Sequence, residues 1–353
     1  MNLEVSMNDR SSFFKAWAAT GAALACCLAL PAHGQHVAPE RLAADSEAAV
    51  KGQFSPASDL PNPHDFSGGG SVHKYPWRHP DELKALADQA QTQAAAKTSP
   101  NTLVYYGGPV ISNVSVVKVN YGTGTYPAYV SGTGAGTLSA FYKGILGSPY
   151  FTWLNGDYKT PTQTIGYGSF VGDYAVTPAA AHNGATIDDT AIQAELVAQI
   201  NAKKLPAPTA NTYYALHFPK GKKITQGGTS SCASGGFCAY HGTIPSASTP
   251  GGYIYYAVLP DNSTGSGCAT GCGGSTAYNN WCSVSSHELI EAVTDAAVGV
   301  ATTISAPLAW YNSAKGEIGD ICNAQQGTVV GTDKVTYTVQ KEWSNSAGSC
   351  RAQ

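Results

Sequence analysis

The sequence predicts an α/β or α+β domain, a mixed sheet flanked by helices with a disulfide-rich C-terminal third, and three observations carry that expectation. From about Thr102 onward, runs of β-branched and aromatic residues alternate with helix-spaced runs. Hydrophobic side chains make up 43% of the 353 residues, enough for a sizeable core. Cys232, Cys238, Cys268, Cys272, Cys282, Cys322 and Cys350 all lie in the last third, an odd set that leaves at least one thiol outside intrachain bridges.

The elements follow in chain order. Arg10 and Lys15 precede the apolar run Ala16 to Leu30, and Ala32-His33-Gly34 supplies small residues before Gln35, which reads as a secretory signal peptide over residues 1–34 with cleavage near Gly34. That run falls short of the ~20 apolar residues a membrane span needs. Neither Cys26 nor Cys27 has the flanking residues of a lipid-modified cysteine. Residues 35–100 are rich in Ala, Pro, Ser and Gln and read as a leader or pro-segment, partly disordered, with a helical stretch from about Pro80 to Ala95 and the loop histidines His64, His73 and His79.

Residues 101–353 read as one globular domain. Val114 to Tyr121 is β-branched and stops at Gly122, an inner strand. Asp188 and Asp189 open a helix that carries Ile192, Leu196 and Ile200 on one side and closes at Lys203, Lys204 and Pro206. Asn211 to Phe218 and Gly252 to Leu259 read as further strands, separated by a glycine- and cysteine-rich loop. Cys282-Ser-Val-Ser-Ser-His-Glu-Leu-Ile-Glu-Ala-Val-Thr-Asp295 then reads as a helix with its serines at the N-cap.

Composition excludes several functions. Charged residues make up only 12%, against roughly 25% in an average soluble domain, and 20 basic against 23 acidic residues give a net charge of −3. No basic footprint for nucleic acid exists. No nucleophile elbow, phosphate loop or dinucleotide glycine fingerprint stands in a fitting strand-and-helix context. Cysteines in a bridge-rich secreted region are poor nucleophile candidates, and their spacings fit a zinc cluster badly.

The chemistry concentrates in the last predicted helix. At 100° per residue, His287, Glu291, Thr294 and Asp295 share one stripe with Glu288 at its edge, while Leu289, Ile290, Val293 and Ala297 take the opposite side. Such a stripe is either a solvated face or a site. His287-Glu288-x-x-Glu291 has the i, i+4 spacing that points two metal ligands the same way, with Glu288 near a metal-bound water as general base. A carboxylate at the fifth position suits zinc and, more than a second histidine would, manganese or calcium.

Glu317-Ile-Gly-Asp320 places two more acids between apolar residues. Glu317 is the natural third ligand. Asp320 is a fourth ligand, an acceptor orienting His287, or a turn cap beside Gly319. His241 is a ligand, a donor to an oxyanion, or a hydrogen-bonded loop histidine, and Tyr311 is an oxyanion donor or a packing residue.

Several short segments, in order over residues 103–322, make the chain resemble the EXORDIUM, or phosphate-induced-protein, family of secreted proteins. They are Tyr105-Tyr-Gly-Gly-Pro-Val110, Cys238-Ala-Tyr-His241, Tyr253-Ile-Tyr-Tyr256 with Cys268-Ala-Thr-Gly-Cys272, His287-Glu-Leu-Ile-Glu291 with Thr294-Asp295, and Trp310-Tyr311 with Glu317-Ile-Gly-Asp320-Ile-Cys322. The longer leader, Asp295-Ala296 in place of an acid-proline or Asn-Pro pair, and the tail Trp343 to Cys350 depart from it. The resemblance implies an extracellular, wall-associated protein without an established reaction, and groups His287, Glu288, Glu291, Glu317 and Asp320.

Together these readings predict a secreted metal-dependent hydrolase of zincin-like layout, most plausibly a peptidase, in which His287, Glu291 and Glu317 hold zinc and Glu288 is the base. Its substrate would be a polypeptide or cell-wall polymer, docked as an extra strand on the edge formed by Gly252 to Leu259. The leader would cover the cleft. The alternative is a non-catalytic wall or glycan-binding protein in which the same acids hold a structural metal.

Overall fold

A computed structural model describes residues 73–76 and 100–353. The signal peptide, the leader helix, His64 and His79 lie outside the described residues. The architecture is mixed α/β, built on a six-stranded sheet with four smaller sheets around it.

The strands of the central sheet are β1 (His73–Pro76), β2 (Ser115–Tyr121), β3 (Ser169–Val176), β4 (Thr212–His217), β5 (Phe237–Pro245) and β6 (Tyr253–Leu259), in spatial order β1-β5-β6-β4-β2-β3. Strands β6, β4, β2 and β3 run parallel. Strand β5 is antiparallel to β6, and β1 is antiparallel to β5. Every residue of β4 is buried, as an inner parallel strand covered on both faces requires, whereas edge strand β3 alternates with solvent. The expectation that Gly252 to Leu259 offers a free edge is wrong. Strand β6 lies inside the sheet between β4 and β5, because the distant segment Phe237–Pro245 pairs along its outer side.

Helix α1 (Leu138–Ile145) and helix α3 (Ala277–Thr294) pack on one face of the sheet, and α2 (Asp189–Asn201) on the other. Asp188 caps α2, accepting from Thr190 N at 3.2 Å. Ile192 and Leu196 then pack against Val117, Val119, Leu216 and Val258.

Opposite them, Lys118, Ala215, Ala257 and His241 stand side by side across β2, β4, β6 and β5. The two alanines in the middle of that row let α3 lie close to the sheet. Its far side is covered by the hairpin of β7 (Gln326–Val330) and β8 (Thr336–Gln340), where Ser286 Oγ accepts from Gln340 N at 2.9 Å. Helix α3 is therefore buried from Asn280 to Thr294, and a solvated face for its polar stripe is ruled out.

The helix also starts earlier than the serines suggested. Thr276 is its N-cap, accepting from Asn279 N, so Ser283, Ser285 and Ser286 fall in buried interior turns.

Disulfides join Cys232 to Cys268, Cys238 to Cys272 and Cys322 to Cys350, which leaves Cys282 as a buried free thiol on α3. The first two tie the approach to β5 to the segment before α3. The third anchors the turn after Glu317 to the C-terminal strand. Bridges of this kind belong to oxidising compartments, and among the described residues no helix is long and apolar enough to cross a membrane.

Candidate metal centre

Three separate elements bring imidazoles and carboxylates to one buried place. Helix α3 supplies His287, Glu288 and Glu291, strand β5 supplies His241, and the turn after Trp310–Tyr311 supplies Glu317. All five side chains are at most 1% exposed. Along α3, Glu291 projects between the directions of His287 and Glu288, which places it at the centre of the group.

The distances form a chain. His287 Nε2 lies 3.1 Å from Glu291 Oε2, Glu291 Oε2 lies 3.5 Å from His241 Nδ1, and His241 Nδ1 lies 3.1 Å from Glu288 Oε2. On the other side of the ring, His241 Nε2 lies 3.5 Å from Glu317 Oε1. Two sets of ligand-type atoms each fall within 4.8 Å of one another: His241, Glu291 and Glu317, and His287, Glu288 and Glu291. Glu291 belongs to both.

Three carboxylates and two imidazoles share one buried group, and burying a charge is costly unless it is paired. Burial pushes the Glu288 carboxyl up to about 7, against the pull of its hydrogen bond to His241. His241 Nε2 and Glu288 Oε1 make no hydrogen bond, although both are buried. A divalent cation would give such atoms a partner.

The neighbours support the same geometry. Gln340 Nε2 lies 2.6 Å from His287 Nδ1 and donates to Gly319 O at 2.9 Å. With the amide in this orientation, His287 carries its proton on Nε2, toward Glu291; turned over, the amide would accept from Nδ1–H and leave the Nε2 lone pair for a cation. Gly319 is glycine for a steric reason: a Cβ there would stand 2.5 Å from His287 Nδ1 and 2.8 Å from Glu291 Oε1.

The sequence-chosen residues thus divide. His287, Glu288, Glu291 and Glu317 come together, but His287 and Glu317 fall in different sets, and the member common to Glu291 and Glu317 is His241. His241 is a strand residue, not a loop histidine, because β5 pairs on both sides. The Asp320 side chain belongs to neither set. Its Oδ2 accepts from Glu317 N at 2.9 Å, which makes it the turn cap, and its own N–H donates to Glu291 Oε1 at 3.1 Å. Tyr311 is fully buried on a short strand paired with Val104–Tyr105, and its phenol is pushed up first by burial and then by the charge of Glu317.

Gln340 and Gly319 are the functional neighbours that sequence reasoning passed over. A lone glutamine in a hairpin gives no signal. Gly319, inside the Glu-Ile-Gly-Asp segment between two acids, was available as one. Comparison with protein families, curated proteins and solved structures gives no match for this chain.

Proposed function

We propose that the chain is a secreted metal-dependent hydrolase, a peptidase of zincin-like layout, whose cation is held by Glu291, His241 and Glu317, with His287 on the other side of Glu291. The single observation behind this reading is the convergence of five buried imidazole and carboxylate side chains from three elements on overlapping ligand sets. Two imidazoles among carboxylates suit zinc, and the oxygen share admits manganese.

When bound, a divalent cation supplies Lewis acidity and brings the pKa of its water toward ~7. The remaining roles belong to the chain. Glu288, held near neutrality by burial, takes the proton of the attacking water and returns it to the amide nitrogen as the C–N bond breaks. Glu288 also accepts from His241 Nδ1 and so orients that ring with Nε2 toward Glu317.

The metal content of the purified secreted protein tests the assignment. About one equivalent of zinc or manganese that disappears in Glu291→Gln is the expected result, and no metal in either sample overturns it.

A second reading rests on the complete burial of the group. A sealed site suits a structural calcium in an extracellular protein of EXORDIUM type that binds wall polymers. Glu288→Gln separates the two: a peptidase loses turnover while keeping its metal, and a binder is unaffected.

A further inference from the structure

Strand β1 stands apart from the rest of the sheet. It is four residues long and comes from the leader, far in sequence from its partner, yet it forms the outer edge of the sheet beside the Phe237–His241 part of β5. Pairing runs from His73 opposite His241 to Pro76 opposite Phe237, with a register shift between Tyr75 and Pro76. Proline has no N–H to donate, so the ladder ends there.

Without β1, the Phe237–His241 part of β5 would present an unpaired row of N–H and C=O groups, a template for any extended chain. That row passes directly beside the metal centre. His241 is a β5 residue, its ring touches Glu288 and Glu291 on α3, and Cα atoms of β1 come within 8 Å of α3 as well as β5.

We infer that β5 is the substrate-binding edge and that β1 is its built-in occupant. An extended polypeptide substrate replaces β1 as an antiparallel strand on β5, which carries its main chain past His241. The ladder supplies affinity for main chain irrespective of sequence, so the substrate class is unfolded or extended polypeptide and not a folded surface or a sugar. The leader strand, held on the same chain, competes at high effective concentration and keeps the enzyme latent until it is removed. This inference rests on the hydrolase reading for its catalytic part. The occupancy of β5 by β1 stands without it.

The test uses the full secreted chain and the variant Lys74→Pro, which removes a central N–H of β1. Amide hydrogen exchange over Phe237–His241 should be at least roughly tenfold faster in the variant. A synthetic peptide of residues 71–79 added in trans should restore protection. Hydrolysis of an unstructured peptide mixture should rise at least roughly tenfold in the variant and be inhibited competitively by the same peptide.

Unchanged exchange in the variant overturns the inference whatever the turnover. Faster exchange with turnover equal to that of the unaltered chain overturns the latency. Faster exchange and capture of the 71–79 peptide without hydrolysis in either protein upholds the docking edge and removes the hydrolase reading instead.

Discussion

The two faces of the central sheet both bury acid, and they do so in opposite ways. Under α2, Asp189 Oδ1 accepts from the hydroxyls of Tyr240 and Tyr256 at 2.7 and 2.8 Å, and Oδ2 accepts from Gln193 Nε2 at 2.7 Å. One carboxylate meets three neutral donors, and the account closes within the protein. Under α3, three carboxylates meet two imidazoles at 3.1 to 3.5 Å. Burial raises the carboxyl of Asp189 and that of Glu288 alike. The difference lies in the company each acid keeps: a single acid among neutral donors is a packing device, whereas acids converging with imidazoles are the ligand types of the proposed cation site.

The contrast predicts that substitutions in the imidazole and carboxylate group under α3 change metal content and those at Asp189 under α2 change only stability. Glu291→Gln has the largest expected effect. Loss of a shared ligand should weaken metal retention by more than the 10 to 100-fold typical of an outer neighbour, so about 100-fold or more after dialysis against a weak chelator. Added zinc or manganese should raise the Tm of the unaltered chain, by the equivalent of about 2.7 kcal/mol at a hundredfold excess over Kd, and leave Glu291→Gln unmoved. A metal-dependent Tm in Glu291→Gln would erase the contrast.

Gly319→Ala comes next. The added Cβ would meet His287 Nδ1 and Glu291 Oε1, so one methyl should cost about 1–3 kcal/mol in denaturant unfolding and also lower metal retention. Asp189→Ala is its counterpart on the other face. Leaving the Tyr240 and Tyr256 hydroxyls without their acceptor should cost about 1–3 kcal/mol with metal content intact.

The pH dependence of Asp189 sharpens the same point. Its carboxyl is raised in the fold, chiefly by burial and against the three donors, so the folded state holds the proton more tightly than the unfolded chain does. The corresponding stabilisation is complete below the ordinary aspartate range and is lost as pH rises through the folded value. Relative to Asp189→Asn, the unaltered chain should therefore gain Tm as pH is lowered from neutrality toward about 4, the ordinary carboxylate range. A flat difference across that interval would mean that the buried acid is not strained at all.

What the sequence disclosed divides along physical lines. The stripe of His287 and Glu291 was legible because helical periodicity is local, and Glu317 because an acid between Ile and Gly in an apolar stretch needs a partner. His241 was ambiguous because its partner Glu288 is 47 residues away and only strand pairing joins them. The free edge was misplaced onto β6 for the same reason: nothing in Tyr253–Leu259 announces that Phe237–Pro245 returns beside it, or that His73–Pro76 then pairs with Phe237–His241. The helix start was misplaced because serines are good caps anywhere along a chain, and Thr276 took the role first.

The smallest expected effect belongs to Cys282, which tests how narrowly the α3 site is drawn. It shares the helix with His287 but lies among apolar and hydroxyl neighbours, and burial pushes its thiol far above the ordinary range. A thiol so placed is neither a nucleophile nor a ready metal ligand. Labelling should find the Cys282 thiol unreactive in the folded protein and reactive after unfolding in the absence of reductant. Cys282→Ala should cost about 1 kcal/mol, as removal of one buried heavy atom does, with metal content unchanged. Loss of metal in Cys282→Ala would extend the site a turn and a half toward the helix N-terminus, and the boundary between site and packing on α3 would have to be redrawn.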